Sequence, residues 1–133
     1  MRRLQLMLPG ILLAACTLHT GSQPNNFDPA HSAPGIRARL TLATRRLEGE
    51  LLEVSDSGLV VHAPEQLVFV MFPAIVHATF EDSDVSITNR RRLDGEELYR
   101  LRMLSRFPYG IPADALRTLL VSEHQDTLAV VMP

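Results

Sequence analysis

The alternation of hydrophobic and polar residues between positions 36 and 80 predicts five short β-strands. Apolar side chains recur at every second position from Ile36 to Leu42, which is the period of a strand with one buried face. Comparable segments follow, separated by polar or proline-containing turns, at Leu47 to Val54, Leu59 to Ala63, Leu67 to Phe72 and Ile75 to Phe80. Five short strands at this spacing predict a small twisted sheet that closes into a barrel.

Two features of these segments predict more than strand position. Gly49 lies inside the second predicted strand, where a glycine indicates a sharp bend or the close approach of another backbone. The run from Val68 to Phe72 is apolar at every position, as expected of a strand that is covered on both faces.

Beyond residue 80 the apolar spacing becomes helical. Asp94 followed by Glu97 is a partial capping-box pattern, and leucines recur behind it at Leu98, Leu101 and Leu104. Pro112 is suited to open a second helix, whose buried stripe would be Leu116, Leu119 and Leu120. The prediction is an α+β fold in which a five-stranded Sm/SH3-like barrel is followed by a helical hairpin. The segment Thr127 to Met132 is compatible with a short last strand.

The amino terminus has the order of an export signal. Arg2 and Arg3 precede an apolar run from Leu4 to Ala15, and the small residues at its end lead into Cys16, the only cysteine. The run is shorter than the roughly 20 residues that cross a bilayer. Its last four residues, Leu13-Ala14-Ala15-Cys16, resemble the lipobox of bacterial lipoproteins.

That resemblance implies a diacylglyceryl group on the thiol of Cys16, cleavage between Ala15 and Cys16, and an acyl chain on the new amino group, with no other cofactor. Thr17 stands where an aspartate would retain the protein in the inner membrane, which favours the outer membrane. Two alternatives remain: an ordinary buried cysteine near the start of a cytosolic domain, and export with cleavage by the general signal peptidase but no lipid.

These signals divide the chain into four parts. Residues 1–15 are the predicted signal peptide, and residues 16–35 are rich in Pro, Gly, Ser and Asn and are predicted to form the lipidated amino terminus and a flexible tether. Residues 36–80 are the predicted barrel. Residues 81–133 comprise a linker, the two helices and the last strand.

Residues 36–80 resemble the Sm-like small-barrel fold. The resemblance rests on the glycine-containing segment Leu47 to Val54 and on the phrase Phe72-Pro73-Ala74-Ile75-Val76. Ser55 stands where Sm proteins usually carry an aspartate, and the asparagine and the basic-Gly pair that hold RNA in that family have no counterpart. The resemblance therefore implies the fold and not the RNA activity.

Charge and cysteine content exclude several classes of function. All thirteen basic residues are arginine, and removal of Arg2 and Arg3 leaves eleven against fifteen acidic residues, a net charge near −4. An acidic domain is a poor general binder of nucleic acid, which is held by neutralising phosphates. Acylation of Cys16 would leave no thiol, which excludes disulfides, thiolate metal sites and a cysteine nucleophile.

The most uneven charge feature is a cluster of six arginines, Arg90, Arg91, Arg92, Arg100, Arg102 and Arg106. These side chains are candidates for a face that binds anionic headgroups or an acidic partner, at about 1 kcal/mol per charge near a membrane. A solvated face neutralised by Asp94, Glu96 and Glu97 is the favoured alternative. The acidic stretch 81–84 lacks the pattern of a calcium loop, and His62 and His77 lack the spacing of zinc ligands.

No short catalytic motif is present, so the sequence favours a non-catalytic binding or scaffolding module that is anchored to the membrane and contacts an envelope protein. A lipid- or cell-wall-modifying enzyme without a recognisable motif is the first alternative. A deep pocket that brings His62 or His77 to a carboxylate would favour that enzyme. A cytoplasmic Sm-like RNA-binding protein is the second alternative, and it needs a basic groove.

Overall fold

The computed structural model describes residues 34–106 and 110–133, so the predictions for residues 1–33, including Ala15 and Cys16, lie outside the described residues. Within those ranges the chain forms seven strands, two α-helices and a short 3-10 helix, Phe72–Ala74. The strands are β1 (Arg37–Leu42), β2 (Arg46–Val54), β3 (Gly58–Ala63), β4 (Gln66–Met71), β5 (Ile75–Phe80), β6 (Ser86–Thr88) and β7 (Ala129–Val131). The helices are α1 (Gly95–Leu104) and α2 (Ala113–Ser122).

The strands form one open sheet, and the predicted closed five-stranded barrel is wrong. The strand order is β6-β5-β1-β2-β3-β4-β7, and every neighbouring pair is antiparallel except β4 with β7. Closure would require β4 to pair with β5, but these two strands use their outer edges to bind β7 and β6. The five strands of the alternating pattern thus lie close to their predicted positions, in a sheet that is extended at both ends.

The two edge strands explain why the pattern suggested closure. β6 and β7 contain three residues each, which is too short for an alternation to be recognised. Ile87 is the buried residue of β6. β7 returns from the carboxyl-terminal segment and aligns Ala129 with Val68. One edge of the predicted five-stranded unit is therefore covered by β6, which follows β5 closely along the chain, and the other by β7, which is distant in sequence from β4.

The strands β3 and β4 are buried on both faces. Leu59, Val61 and Val68 belong to one apolar cluster, together with much of β1, β2 and β5. Val60 and Leu67 point to the opposite face and join a second cluster. The double coverage predicted for the apolar run of β4 is confirmed for Val68 and Val70, which are buried in the first cluster, and for Phe69, which packs partly buried against the second, while Met71 is only half-buried.

The helices cover different faces instead of forming a hairpin on one surface. Leu101 of α1 is fully buried in the first cluster, whereas Ala115 of α2 belongs to the second. The predicted capping box at the start of α1 is confirmed: the Glu97 N–H donates to the Asp94 side chain, and the Asp94 N–H donates to the Glu97 side chain. Pro112 is the residue that precedes α2.

The strand β2 contributes to both clusters, because Leu51 and Leu52 are consecutive strand residues and therefore face opposite sides of the sheet. A bulge follows, since the pairing with β3 shifts between Leu51 and Glu53, and it returns Val54 to the first cluster, on the same face as Leu51. Gly49 lies just before this bulge. A methyl group at Gly49 would collide with the backbone carbonyl of His62, which confirms the predicted close approach of two backbones.

A glutamine side chain extends the hydrogen bonding of β4 beyond β7. The Leu67 N–H donates to Oε1 of Gln125, and Nε2 of Gln125 donates to the Leu67 carbonyl at 3.1 Å. The carboxamide offers one donor and one acceptor side by side, as a peptide group does. Gln125 therefore occupies the place of a strand residue just before β7 pairs with Val68.

Replacement of Gly49 by alanine tests the close approach of β2 and β3. Because the new methyl group meets backbone and not a flexible side chain, we expect Gly49→Ala to lower the free energy of unfolding by about 3 kcal/mol. The matched control is Gly95→Ala at the first turn of α1, where the methyl group meets nothing within 4 Å. The control should be neutral or stabilising by up to about 1 kcal/mol. Urea denaturation measures both, and equal stability of the two variants would contradict the packing described.

Candidate functional site

Arg91 is held by two hydrogen bonds to one carboxylate. Its guanidinium nitrogens lie 2.9 and 2.6 Å from the two carboxylate oxygens of Glu97, and one of them also donates to the Ser86 carbonyl at 3.2 Å. The hydrogen bond from Arg91, assisted by the Asp94 N–H, lowers the pKa of Glu97 below its ordinary value. The same hydrogen bond raises the pKa of Arg91. Arg91 thus joins β6 to the first turn of α1.

Three further arginines of the cluster also bind carboxylates. Arg100 donates to both oxygens of Asp84, at 3.1 and 3.2 Å, and lies 3.9 Å from Glu96. Arg102 donates to Asp56 at 2.6 Å and to the Val54 carbonyl at 3.0 Å. The side chains of α1 are therefore tied to the turn after β2 and to the loop before β6.

Arg106 follows α1 and makes the least exposed of these pairs. Its Nε donates to Oε1 of Glu50 at 2.8 Å, and the two side chains retain only 18% and 23% exposure. Oε1 of Glu50 also accepts from the Gly35 N–H at 2.7 Å. Glu50 therefore connects the segment before β1, the strand β2 and the end of α1.

The sequence analysis identified the six arginines of the cluster but only some of the carboxylates that bind them. Glu97 and Glu96 were predicted to neutralise the cluster, and both contact it, whereas Asp94 serves as a helix cap. Asp56, Asp84 and Glu50 were missed because they lie 46, 16 and 56 residues from the arginines they bind. No local pattern reports a pair of that separation.

Arg90 and Arg92 differ from the other four members of the cluster. Neither has a hydrogen-bond or ion-pair partner within residues 34–106 and 110–133. Both line a surface cleft of about 250 Å³ whose floor includes Met71, Phe72 and Pro73. Asp56, at the rim of this cleft, is already bound to Arg102. The structure thus separates two unpaired cations from four that are neutralised.

A second and wider cleft, of about 760 Å³, is lined by five carboxylates and by Arg37 and His62. The carboxylates are Glu48, Glu50, Glu65, Glu81 and Glu123. Nε2 of His62 lies 2.8 Å from Oε1 of Glu123, a hydrogen bond that joins β3 to the end of α2. The cleft is shallow and open to solvent.

The other candidates from the sequence, His77 and the acidic stretch 81–84, do not contact the pair of His62 and Glu123. His77 is exposed on β5, in register with Thr41 and Thr88. In the acidic stretch 81–84, Asp84 is engaged by Arg100, and the Ser83 hydroxyl accepts from the Val85 N–H. In the part of the chain that the structure describes, no group of three His, Cys, Asp or Glu side chains is arranged to hold a metal ion.

Comparison with protein families, with curated proteins and with solved structures found no match. Neither described helix has the length and apolar character needed to cross a membrane.

The lowered pKa of Glu97 predicts how acid acts on α1. A carboxylate whose pKa is lower in the folded chain stabilises that chain above its unfolded pKa, near 4.3, and loses this effect as the pH falls through the folded pKa. We therefore expect Glu97→Gln to destabilise the protein at about pH 7 and to differ less from the wild type at about pH 3.

Glutamine can still accept from the Asp94 N–H, so this variant removes the charge without removing the capping interaction. The control is Glu96→Gln, which loses only the 3.9 Å contact with Arg100. Urea denaturation at several pH values provides the measurement. If the stability difference between Glu97→Gln and wild type does not change with pH, the pKa of Glu97 is not lowered in the folded chain.

Proposed function

We propose that this chain is a lipoprotein of the bacterial cell envelope, anchored through Cys16 and directed to the outer membrane, whose folded part is a non-catalytic binding or scaffolding module. The observation that carries the proposal is the order of basic, apolar and small residues that ends at Leu13-Ala14-Ala15-Cys16. Two or more acyl chains hold a protein stably on a bilayer, whereas one chain does not.

The described residues support a binding role through their exposed edge. β7 is an edge strand of the sheet, and Val130 and Met132, which share one face, are 55% and 68% exposed. An edge strand presents backbone donors and acceptors to a partner chain, and exposed apolar side chains beside it add contact area. An envelope protein that adds a strand at this edge is the partner that we propose.

The acidic cleft argues against the RNA-binding alternative. Its five carboxylates outnumber Arg37 and His62, so the field at this surface repels phosphates. Within the arginine cluster, an RNA-binding interpretation would have to rely on Arg90 and Arg92 alone, which is fewer basic contacts than nucleic-acid sites normally use.

Cys16→Ser tests the anchor. We expect the wild-type protein, isolated from its native membrane, to begin at Cys16 and to carry a diacylglyceryl and an N-acyl group by intact-mass spectrometry. The Cys16→Ser chain should retain residues 1–15 and incorporate no labelled fatty acid, because the acyl acceptor is lost. Thr17→Ala is the matched control and should be processed as the wild type is. An unmodified Cys16 in the wild-type protein would contradict the proposal.

The hydrogen bond between His62 and Glu123 is the one observation that favours the alternative of a lipid- or cell-wall-modifying enzyme. A histidine oriented by a carboxylate is a common general base. The cleft around the pair is open and not deep, and its carboxylates are partly bound to Arg37, Arg39 and Arg106. The pair also has a structural role, since it fixes the end of α2 on β3.

His62→Gln distinguishes the two functions. The wild-type protein and the variant are each incubated with phospholipids and with peptidoglycan fragments, and the products are measured by mass spectrometry. For a binding module we expect no turnover by either protein and only a modest loss of stability, of about 1 kcal/mol, from the lost hydrogen bond. Turnover by the wild type that disappears in a folded His62→Gln variant would establish the enzyme instead.

A further inference from the structure

We propose that the cleft between Arg90 and Arg92 binds the phosphate-bearing headgroup of an anionic membrane lipid. This inference deepens the proposed function, on which it rests, by naming the ligand of one surface of the anchored domain. Both guanidinium groups line the cleft and neither is neutralised by a carboxylate within the described residues. Their four neighbours in the cluster all are.

The backbone that carries Arg90 is a tight turn with an unusual choice of residue. The Arg91 N–H donates to the Thr88 carbonyl at 3.1 Å, and Asn89 and Arg90, the two residues inside this turn, have φ values of 53° and 61°. Positive φ at both central positions is the signature of a type I′ turn, for which Asn-Gly is the favoured pair. An arginine in the position suited to glycine is strained, and such strain is often retained where the side chain has a function.

The turn also holds Arg90 firmly. The Asn89 N–H donates to the Val76 carbonyl at 2.7 Å, which ties the turn to β5. On the other side, Arg92 lies between Arg91, bound to Glu97, and Leu93, which is 3% exposed. Because the backbone is fixed on both sides of the two arginines, their charges are brought to the cleft with little loss of backbone entropy on binding.

The floor of the cleft favours a lipid over a free anion. Met71, Phe72 and Pro73 line the same cleft as the two cations and give it apolar surface, and Ser57 also lines it. A headgroup offers a phosphate to the guanidinium groups and glycerol and methylene carbons to the apolar floor. Inorganic phosphate would leave that floor exposed to water. Asp56 adds little repulsion because Arg102 binds it at 2.6 Å.

The test uses the full chain carrying Cys16→Ser, so that vesicle binding does not depend on acylation. Sedimentation with vesicles of phosphatidylcholine alone, and of phosphatidylcholine mixed with phosphatidylglycerol, measures the part of binding that requires anionic lipid. We expect Arg90→Gly and Arg92→Gln each to weaken that part about fivefold. Arg90→Gly places glycine where the turn favours it, so its melting temperature should be unchanged or higher, and loss of binding cannot be attributed to unfolding.

Arg117→Gln is the matched control, since it removes one exposed positive charge on α2. It should change binding by less than twofold. An equal loss in all three variants would show diffuse attraction and overturn the site. Competition by inorganic phosphate, with no preference for anionic vesicles, would show a free-anion site and also overturn the proposal. Because lipidation is read separately from the mass of the wild-type chain, failure of the anchor and failure of this cleft give different results.

Discussion

The burial of β3 and β4 on both faces is the constraint on which the rest of the structure depends. A strand pair that is apolar on both sides cannot expose either side to water, so the chain has to supply a cover for each. The remaining strands and Leu101 of α1 complete one cluster, and α2 completes the other. The strand β2 serves both sides, since Leu51 and Leu52 point to opposite faces and the bulge after them returns Val54 to the face of Leu51. Each helix is thus required by one face of the same two strands.

The sequence predicts the strands and the start of α1 well because these features are local. Alternation depends on neighbours two residues apart, and the capping box depends on Asp94 and Glu97 alone. Closure of the sheet is not a local property. It depends on whether further segments occupy the edges, and β6 and β7 do so with three residues each. The alternating pattern predicted the five middle strands of the sheet and did not predict its edges.

The arginine cluster likewise combines features that are evident from the local sequence with features that depend on the tertiary structure. Its residues are evident from the sequence, but which of them are neutralised depends on carboxylates such as Asp56 and Glu50 that the fold brings from far away. The left-handed backbone of Arg90 is equally hidden, because Asn followed by Arg is not a recognised turn pair. The cluster, for which neutralisation by nearby carboxylates was the favoured interpretation, consists of four arginines in intramolecular ion pairs and two that are available to a ligand. The distinction between structural and unpaired charges required the tertiary structure.

The interaction of Gln125 with Leu67 has a consequence for how the chain can vary in length. Gln125 is bound to Leu67, and Ala129 is in register with Val68, the next residue of β4. The three residues between these two points must therefore span a fixed gap, and an insertion or deletion there would force either the carboxamide or the strand out of place. Changes in loop length among descendants of this protein should consequently be excluded from the segment that leads into β7.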